Sequence, residues 1–177
     1  MFRLKKILCA TALFVSVPVI TLGQDISLLS RAVVNSIRIK APAWKLETQD
    51  CLNTKTMWNC ELEQQQKQSP MDMTFQHWTS GELFASFFMV VQKSPVEVGK
   101  TYEKLKTQGG APFDKRIVLD AKAEQFGDES FVWSRPGYDR HTGITLRKGC
   151  VVVDIDASSF EIAKQFASYV ADVLPTK

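Results

Sequence analysis

The sequence has few of the residues that perform most enzyme chemistry: it contains two histidines, His77 and His141, and four cysteines among 177 residues. A zinc site needs three or four ligands at a recognisable spacing. The two histidines lie far apart and outside any H-E-x-x-H pattern, so the sequence predicts no zinc centre. No C-x-x-C, G-x-S-x-G, S-x-x-K or P-loop pattern occurs, which argues against thioredoxin-type redox chemistry, common hydrolase mechanisms and phosphate-loop nucleotide binding.

Net charge is also missing from most of the chain. Three of the 22 basic residues and none of the 19 acidic residues lie in residues 1–23, so residues 24–177 contain 19 of each sign. A protein that binds nucleic-acid phosphates needs a basic surplus on one face. No such stripe is visible, and the sequence therefore predicts no nucleic-acid partner.

Residues 1–23 have the layout of a secretory signal peptide. Three basic residues precede a mostly apolar stretch with Pro18 near its end, and small residues precede a cut before Gln24. The alternative is an uncleaved membrane anchor, but the stretch has 18 uncharged residues, while about 20 span a bilayer. We therefore predict cleavage, a periplasmic or secreted protein without a membrane span, and a single domain over residues 24–177.

Three cysteines follow the predicted cut. Export implies an oxidising compartment in which disulfides persist, and Cys51 and Cys60 would close a short loop, so we predict a bond between them. Three alternatives are open for Cys150: a buried apolar thiol, a partner for one of the other two cysteines, or a reactive thiol. The buried thiol is the interpretation that we favour.

Apolar periodicity predicts three helices. They cover residues 25–38, 94–108 and 158–174. The second and third helices begin with the capping-box patterns Ser94/Glu97 and Ser158/Glu161, in which a serine caps the helix and a glutamate follows three residues later.

Strand patterns are predicted over residues 71–78, 83–91, 114–126, 130–133 and 143–156, the last as two strands around a tight turn at Lys148-Gly149. Residues 41–66 indicate a twisted hairpin whose arms the Cys51–Cys60 bond would join. In residues 71–78, the apolar side consists of Met71, Met73 and Phe75. The continuous apolar run 83–91 indicates a central strand buried on both faces. This order of elements predicts an α+β domain with helices packed against an antiparallel sheet.

The loop from Ser134 to Gly143 is the strongest candidate for a binding site. It offers hydrogen-bond donors and an aromatic ring between two strands, from Arg135, Tyr138, Arg140 and His141. Loops held by a rigid scaffold often contain functional residues. The alternative is that these are ordinary loop residues in contact with water.

Two other arrangements are weaker candidates. Asp154 and Asp156 lie two apart on one strand, so both carboxylates face one side, where calcium would need Asp128 or Glu129 as well. We favour a solvated strand end, with Asp156 helping to cap the last helix, because calcium takes six or more oxygens and no D-x-D-x-D-G loop is present. Cys150 and His141 as nucleophile and base have no local support, because the valines after Cys150 indicate packing.

The C-terminal third of the chain resembles a group of exported bacterial domains. The segments FGDESFVW, ITLRKGCVVVDID and AKQFASYVADVL are similar to the C-terminal part of many exported bacterial proteins of unknown function, and related patterns occur in lipoproteins and in extracellular lobes of some receptor kinases. In those proteins a Gly-Asp-Glu turn opens a strand, and an Arg-x-Gly hairpin leads into two strands and a helix. They often have asparagine after the hairpin glycine, where this chain has Cys150. The resemblance implies a secreted α+β binding or sensor module and transfers no catalytic residue.

The sequence thus predicts an exported, non-enzymatic binding or interaction module without a cofactor or metal. Its partner would be a small molecule or a protein of the cell envelope. One alternative is an exported enzyme that uses Cys150 with His141, or Asp154 with Asp156. The other is a subunit of an envelope complex, in which a partner covers part of the strand over residues 83–91.

Overall fold

Helices and strands follow one another along the chain in the predicted order. The computed structural model describes residues 26–52, 72–108, 116–119, 125–137 and 142–175. The predicted signal peptide and residues 53–66 of the predicted hairpin lie outside these ranges. The helices are α1 (Ile26–Lys40), α2 (Pro95–Gln108) and α3 (Phe160–Ala171). The strands are β1 (Lys45–Leu52), β2 (Met73–Ser80), β3 (Leu83–Val91), β4 (Ile117–Leu119), β5 (Glu129–Ser134), β6 (Thr142–Lys148) and β7 (Val151–Ala157).

The seven strands form one antiparallel sheet in the order β1-β2-β3-β7-β6-β5-β4. Helices α1 and α3 pack on one side of it, which we call the first face. Helix α2 packs on the other side, the second face, against β5, β6 and β7. The predicted α+β class, with helices packed against an antiparallel sheet, is confirmed.

The first face contains the larger core because two amphipathic helices cover it. Leu29, Val33 and Ile37 lie one turn apart on α1, and Ile162, Phe166 and Val170 lie one turn apart on α3. Alternate residues of the strands meet them, so that both layers are buried. Burying each side chain of this size stabilises the fold by about 1.5–3 kcal/mol. The predicted faces of both helices are confirmed.

Strand β3 is an interior strand, as its apolar run predicts, but only one of its faces is fully buried. Ala85, Phe87 and Met89 point to the first face and are inaccessible to solvent. Phe84 and Phe88 point to the second face and are half-buried. The prediction of burial on both faces is therefore too strong, because α2 lies over the opposite half of the sheet.

Beyond its first residue, the buried Met73, strand β2 buries the side that its sequence does not favour. Thr74, Gln76 and Trp78 face α1 and are inaccessible to solvent, whereas Phe75 on the opposite side is half-buried. The burial is possible because hydrogen bonds satisfy the polar groups. The chain of hydrogen bonds runs from Trp78 Nε1 to Gln76 Oε1 (3.0 Å), from Gln76 Nε2 to Ser30 Oγ (2.9 Å), and from Ser30 Oγ to Thr74 Oγ1 (3.1 Å).

Replacing Gln76 with alanine is expected to lower the free energy of unfolding by about 3 kcal/mol. The change leaves the indole N–H of Trp78 without its acceptor in a dry core and opens a cavity. Gln49 provides a matched control, because it donates to the same Ser30 Oγ (2.8 Å) from an exposed position. Gln49→Ala should cost about 1 kcal/mol or less in urea unfolding. Equal costs for the two variants would contradict a buried network centred on Gln76.

The structure contains the predicted turn and helix caps, but two of them are shifted by one residue. Gly149 has a φ of 57° and begins a two-residue turn between β6 and β7, so the turn is Gly149-Cys150 rather than Lys148-Gly149. The Ser94 hydroxyl accepts from the Glu97 N–H (3.2 Å), as predicted. The cap of α3 is Ser159 rather than Ser158. Ser158 instead bonds the backbone of Phe84, which extends the pairing of β7 with β3.

No helix in the described ranges is long and apolar enough to cross a membrane.

Candidate functional site

A tryptophan on β5 is the centre of a polar network on the second face of the sheet. Trp133 is inaccessible to solvent and belongs to the same buried cluster as Val98 and Tyr102 of α2. The guanidinium of Arg116 lies 3.8 Å from the ring centroid, and that of Arg135 lies 5.5 Å from it. Cation–π attraction favours both placements. We call Trp133, Arg116, Arg135, Asp154, Asp156 and Thr145 the tryptophan cluster.

The indole of Trp133 lies flat over β6 because residue 143 is a glycine. Gly143 pairs with Trp133 across the β5–β6 ladder. A Cβ added at Gly143 would lie 2.0 Å from Trp133 Cζ2 and 2.4 Å from the carbonyl oxygen of Ile155. Any side chain at this position would therefore lift the ring from the sheet.

Arg116 and Asp154 form the inner ion pair of the cluster. Two guanidinium nitrogens of Arg116 donate to the two carboxylate oxygens of Asp154, each at 2.8 Å. The Thr145 hydroxyl also donates to Asp154 (2.6 Å) and accepts from Trp133 Nε1 (3.1 Å). The side chains of Arg116 and Asp154 are only 5% and 11% exposed. Such a bidentate pair fixes geometry as well as charge, so it joins three neighbouring strands to the start of β4.

Arg135 and Asp156 form the outer ion pair, where the predicted binding loop begins. A guanidinium nitrogen of Arg135 lies 3.1 Å from Asp156 Oδ2, and the two side chains are 33% and 17% exposed. Arg135 directly follows β5, and the pair Ser134–Thr142 closes the ladder below the loop. The structure thus places Arg135 at the open rim of the cluster. Tyr138, Arg140 and His141 lie outside the described residues.

The prediction of a solvated strand end for Asp154 and Asp156 is wrong. Both carboxylates lie on the same side of β7, as predicted, and this side is the second face of the sheet, but each carboxylate is largely buried in an arginine pair. Asp156 does not cap α3, whose cap is Ser159. In the described residues, no group of three or more histidine, cysteine, aspartate or glutamate side chains is arranged to hold a metal ion. Asp128 and Glu129, which the calcium alternative would have required, bind within the fold: Asp128 Oδ2 accepts from the Gly149 N–H (2.9 Å), and Glu129 pairs with Arg147 (3.1 Å).

The pairing of Cys150 with His141 is not tested, because His141 lies outside the described residues. Cys150 lies in the turn after β6. Cys150 is a free thiol and is half-buried rather than buried. Cys60 and the side chain of Cys51 lie outside the described residues, so their disulfide stays a prediction.

An aromatic patch borders the tryptophan cluster on β2 and β3. The rings of Phe75 and Phe88 lie 4.8 Å apart, and His77 Nδ1 lies 2.7 Å from the Ser86 hydroxyl. His77 is thus a strand residue, as predicted, and the structure adds its hydroxyl partner. Phe88 pairs with Asp154 and Ser86 with Asp156 across the β3–β7 ladder, so the patch is continuous with both ion pairs. All its members are half-buried.

An open, polar depression of about 420 Å³ lies between α2 and the start of β5. It is lined by Tyr102, Glu103, Lys106, Gln125, Glu129 and Ser130. Burial of the Tyr102 phenol, with the carboxylates of Glu129 and Glu103 nearby, raises its pKa to about 12. The ring packs edge-on against Phe131 at 5.3 Å. The phenol is therefore a neutral group over the ordinary range of pH.

Because the fold raises the pKa of Tyr102, the free energy of unfolding falls as the pH rises in the alkaline range. In the unfolded chain a tyrosine ionises near 10, so unfolding becomes more favourable as the pH rises from about 10 to about 12. Below pH 10 both states are protonated and this group contributes no pH dependence. Tyr102→Phe should therefore lose less stability than the wild type between about pH 9 and about pH 11 in urea unfolding. Equal losses would show that Tyr102 ionises as an ordinary phenol.

Two central members of the cluster, Trp133 and Arg116, were not predicted as site residues. Trp133 is predicted only as a strand residue, and Arg116 only as part of a strand pattern. Their partners come from other strands, and no spacing in the sequence connects Arg116 with Asp154, 38 residues later. The sequence contains one signal for the cluster. Asp154 and Asp156 are charged residues on an otherwise apolar strand, and a buried charge needs a partner.

The fold and the cluster define an α+β domain with a buried arginine–tryptophan network, and the comparisons with known proteins add little. No protein-family model matches the chain, and no curated protein is significantly similar to it. Among solved structures, the chain is similar to the extracellular domain of the kinase PknH from Mycobacterium tuberculosis, with 11% identity and a TM-score of 0.47. The similarity covers 82% of this chain and 92% of the PknH domain.

Proposed function

We propose that this chain is an exported, non-enzymatic binding module whose ligand contacts the loop over residues 134–143. The proposed ligand is a small molecule with an acidic group. Export is supported by the signal-peptide pattern of residues 1–23. The alternative of an envelope-complex subunit stays a hypothesis, with the aromatic patch as the surface that it would use.

The placement of Arg135 is the observation that supports this function. Its guanidinium is oriented from two sides, by the Asp156 carboxylate (3.1 Å) and by the Trp133 ring (5.5 Å). It nevertheless stays one-third exposed at the point where the loop leaves the sheet. Ordering a flexible arginine on binding costs free energy, and a guanidinium whose orientation is already fixed avoids most of that cost.

The remaining loop residues extend the same chemistry. Arg140 adds a second guanidinium, and Tyr138 and His141 add an aromatic face and further hydrogen-bonding groups. Arginine recognises carboxylates and phosphates through its planar set of donors. Since the chain after the predicted cut has no basic surplus, such a local pair of arginines would select an acidic small molecule rather than a polyanion.

The proposal is tested with a thermal-unfolding series on the full chain. The probes are citrate, glucose 6-phosphate and uncharged glucose, and native mass spectrometry of the purified protein reports any co-purifying ligand. An acidic probe should raise Tm by about 5–10 °C at about 100 times its Kd, and glucose should not. The triple variant Arg135→Ala, Tyr138→Ala, Arg140→Ala should lose the shift.

The matched control removes two exposed arginines from α1, as Arg31→Ala and Arg38→Ala. This variant should keep the full shift, which separates a loop site from a general charge effect. If the loop variant keeps the shift, the loop is not the site. If neither acidic probe binds and no acidic ligand co-purifies, the small-molecule function is wrong.

A further inference from the structure

Helix α1 has a stripe of exposed residues on the side that faces away from the sheet. They follow one another at intervals of three and four residues, so they fall within about 100° of arc on a helix of 3.6 residues per turn. The buried residues of α1 occupy the opposite side of the helix. We call the following five residues the α1 stripe: Leu28, Arg31, Asn35, Arg38 and Ile39.

The charge of the α1 stripe has one sign. Helix α1 contains three basic residues and no acidic residue, whereas α2 contains three basic and two acidic residues and α3 contains one of each. Lys40 of α1 is paired with Asp172. Arg31 and Arg38 are exposed, and neither is paired with a carboxylate in the described part of the chain. Because residues 24–177 have no net charge, the stripe is a local excess of positive charge.

Two large apolar side chains flank the arginines of the stripe. Leu28 is 63% exposed, and Ile39, at 81%, is the most exposed large apolar side chain in the described residues. Their positions on the helix are about 16 Å apart. A soluble polyanion would attract the arginines alone. An anionic lipid bilayer complements both kinds of side chain, because its charged head groups lie directly above its apolar acyl chains.

We propose that the α1 stripe docks on the surface of an anionic lipid bilayer. The helix axis then lies in the plane of the surface, with the arginines among the head groups and Leu28 and Ile39 at the boundary with the acyl chains. Two arginines and two apolar side chains make a small contact, so the attachment is reversible and depends on salt. The inference is independent of the proposed ligand site, because Arg31→Ala with Arg38→Ala leaves the loop over residues 134–143 unchanged.

Sedimentation of the full chain with lipid vesicles tests the proposal. Vesicles of phosphatidylcholine with phosphatidylglycerol have an anionic surface, whereas vesicles of phosphatidylcholine alone have none. The wild type should bind the anionic vesicles more tightly, and high salt should remove most of the difference because it screens exposed charges. Arg31→Ala with Arg38→Ala should weaken binding to the anionic vesicles about twentyfold, since each basic residue near such a surface contributes about fivefold. Circular dichroism should show that this variant is folded, because alanine is a good helix former.

The matched control is Lys100→Ala with Lys106→Ala, which removes the same charge from two exposed positions of α2. It should bind the anionic vesicles like the wild type, which separates the α1 stripe from an effect of net charge. Ile39→Ser keeps both arginines and should weaken binding at least about threefold, since the side chain at this position no longer gains by leaving water.

Three results would overturn the proposal. The first is equal binding of the wild type to both kinds of vesicle, and the second is an equal loss of binding in the α1 and α2 double variants. The third is an Ile39→Ser variant that binds the anionic vesicles as tightly as the wild type. In that case the arginines respond to charge alone, and the stripe fits an acidic protein rather than a bilayer.

Discussion

Arg116→Met is expected to lower the free energy of unfolding by about 3–5 kcal/mol. The substitution removes both donors to Asp154 and leaves a carboxylate that is only 11% exposed without its cation. It also removes the guanidinium that lies 3.8 Å from the Trp133 ring centroid. Because small domains are stable by about 5–15 kcal/mol in total, this loss is a large fraction of the whole. Urea unfolding followed by tryptophan fluorescence measures it.

Two further variants identify the cause of this loss of stability. In Arg116→Met with Asp154→Asn, the unpaired charge disappears while Thr145 keeps an acceptor, so the total cost should fall to about 1–2 kcal/mol. Arg135→Met is the matched control, because it removes the other guanidinium over Trp133 from a more exposed pair, whose side chains are 33% and 17% exposed, and should cost about 1 kcal/mol. If the double variant is less stable than Arg116→Met alone, the buried charge is not the cause.

Gly143→Ala is expected to cost about 3 kcal/mol or more, although it adds a single methyl group. The new Cβ would meet Trp133 Cζ2 at 2.0 Å and the Ile155 carbonyl oxygen at 2.4 Å, so the ring and the strand must both move. The ring is buried under Arg116 and has little space to shift. Unfolding in urea and the near-ultraviolet circular dichroism of the tryptophans measure the two consequences together.

Gly99→Ala is the control for this effect. Gly99 lies inside α2, where an added Cβ would have 4.0 Å to its nearest neighbour, Arg147 Nη1. Alanine is a better helix former than glycine, so this variant should be more stable by about 0.5–1 kcal/mol. A second check combines Gly143→Ala with Trp133→Leu, whose costs should not add because both act on one contact. Additive costs would contradict the stacking of Trp133 over Gly143.

Much of the fold can be predicted from the sequence because apolar periodicity reports burial directly. The faces of α1 and α3, the Ser94 cap and the β6–β7 turn follow from local patterns, and the structure confirms them with shifts of one residue. The pattern fails at β2. Gln76 and Thr74 are buried there and Phe75 is half-buried, because Ser30 of α1 satisfies the polar groups from a distant part of the chain.

The sequence predicts where the candidate site lies, but it does not predict which residues make up its network. Arg135 lies at the start of the loop, as the sequence predicts, and the structure adds Asp156 and Trp133 as the groups that orient it. A propensity pattern describes single residues, whereas an ion pair requires two strands in a particular register. Asp154 appears solvated in the sequence because its partner, Arg116, is 38 residues away.

The sequence by itself determined the α+β class, the order of the helices and strands and the amphipathic helix faces, because each depends on neighbours in the chain and on which side chains avoid water. Only the tertiary structure decided which face of β2 is buried and which charges are paired. These depend on the order of the strands and on their register. That order brings Arg116, Trp133 and Asp154 together.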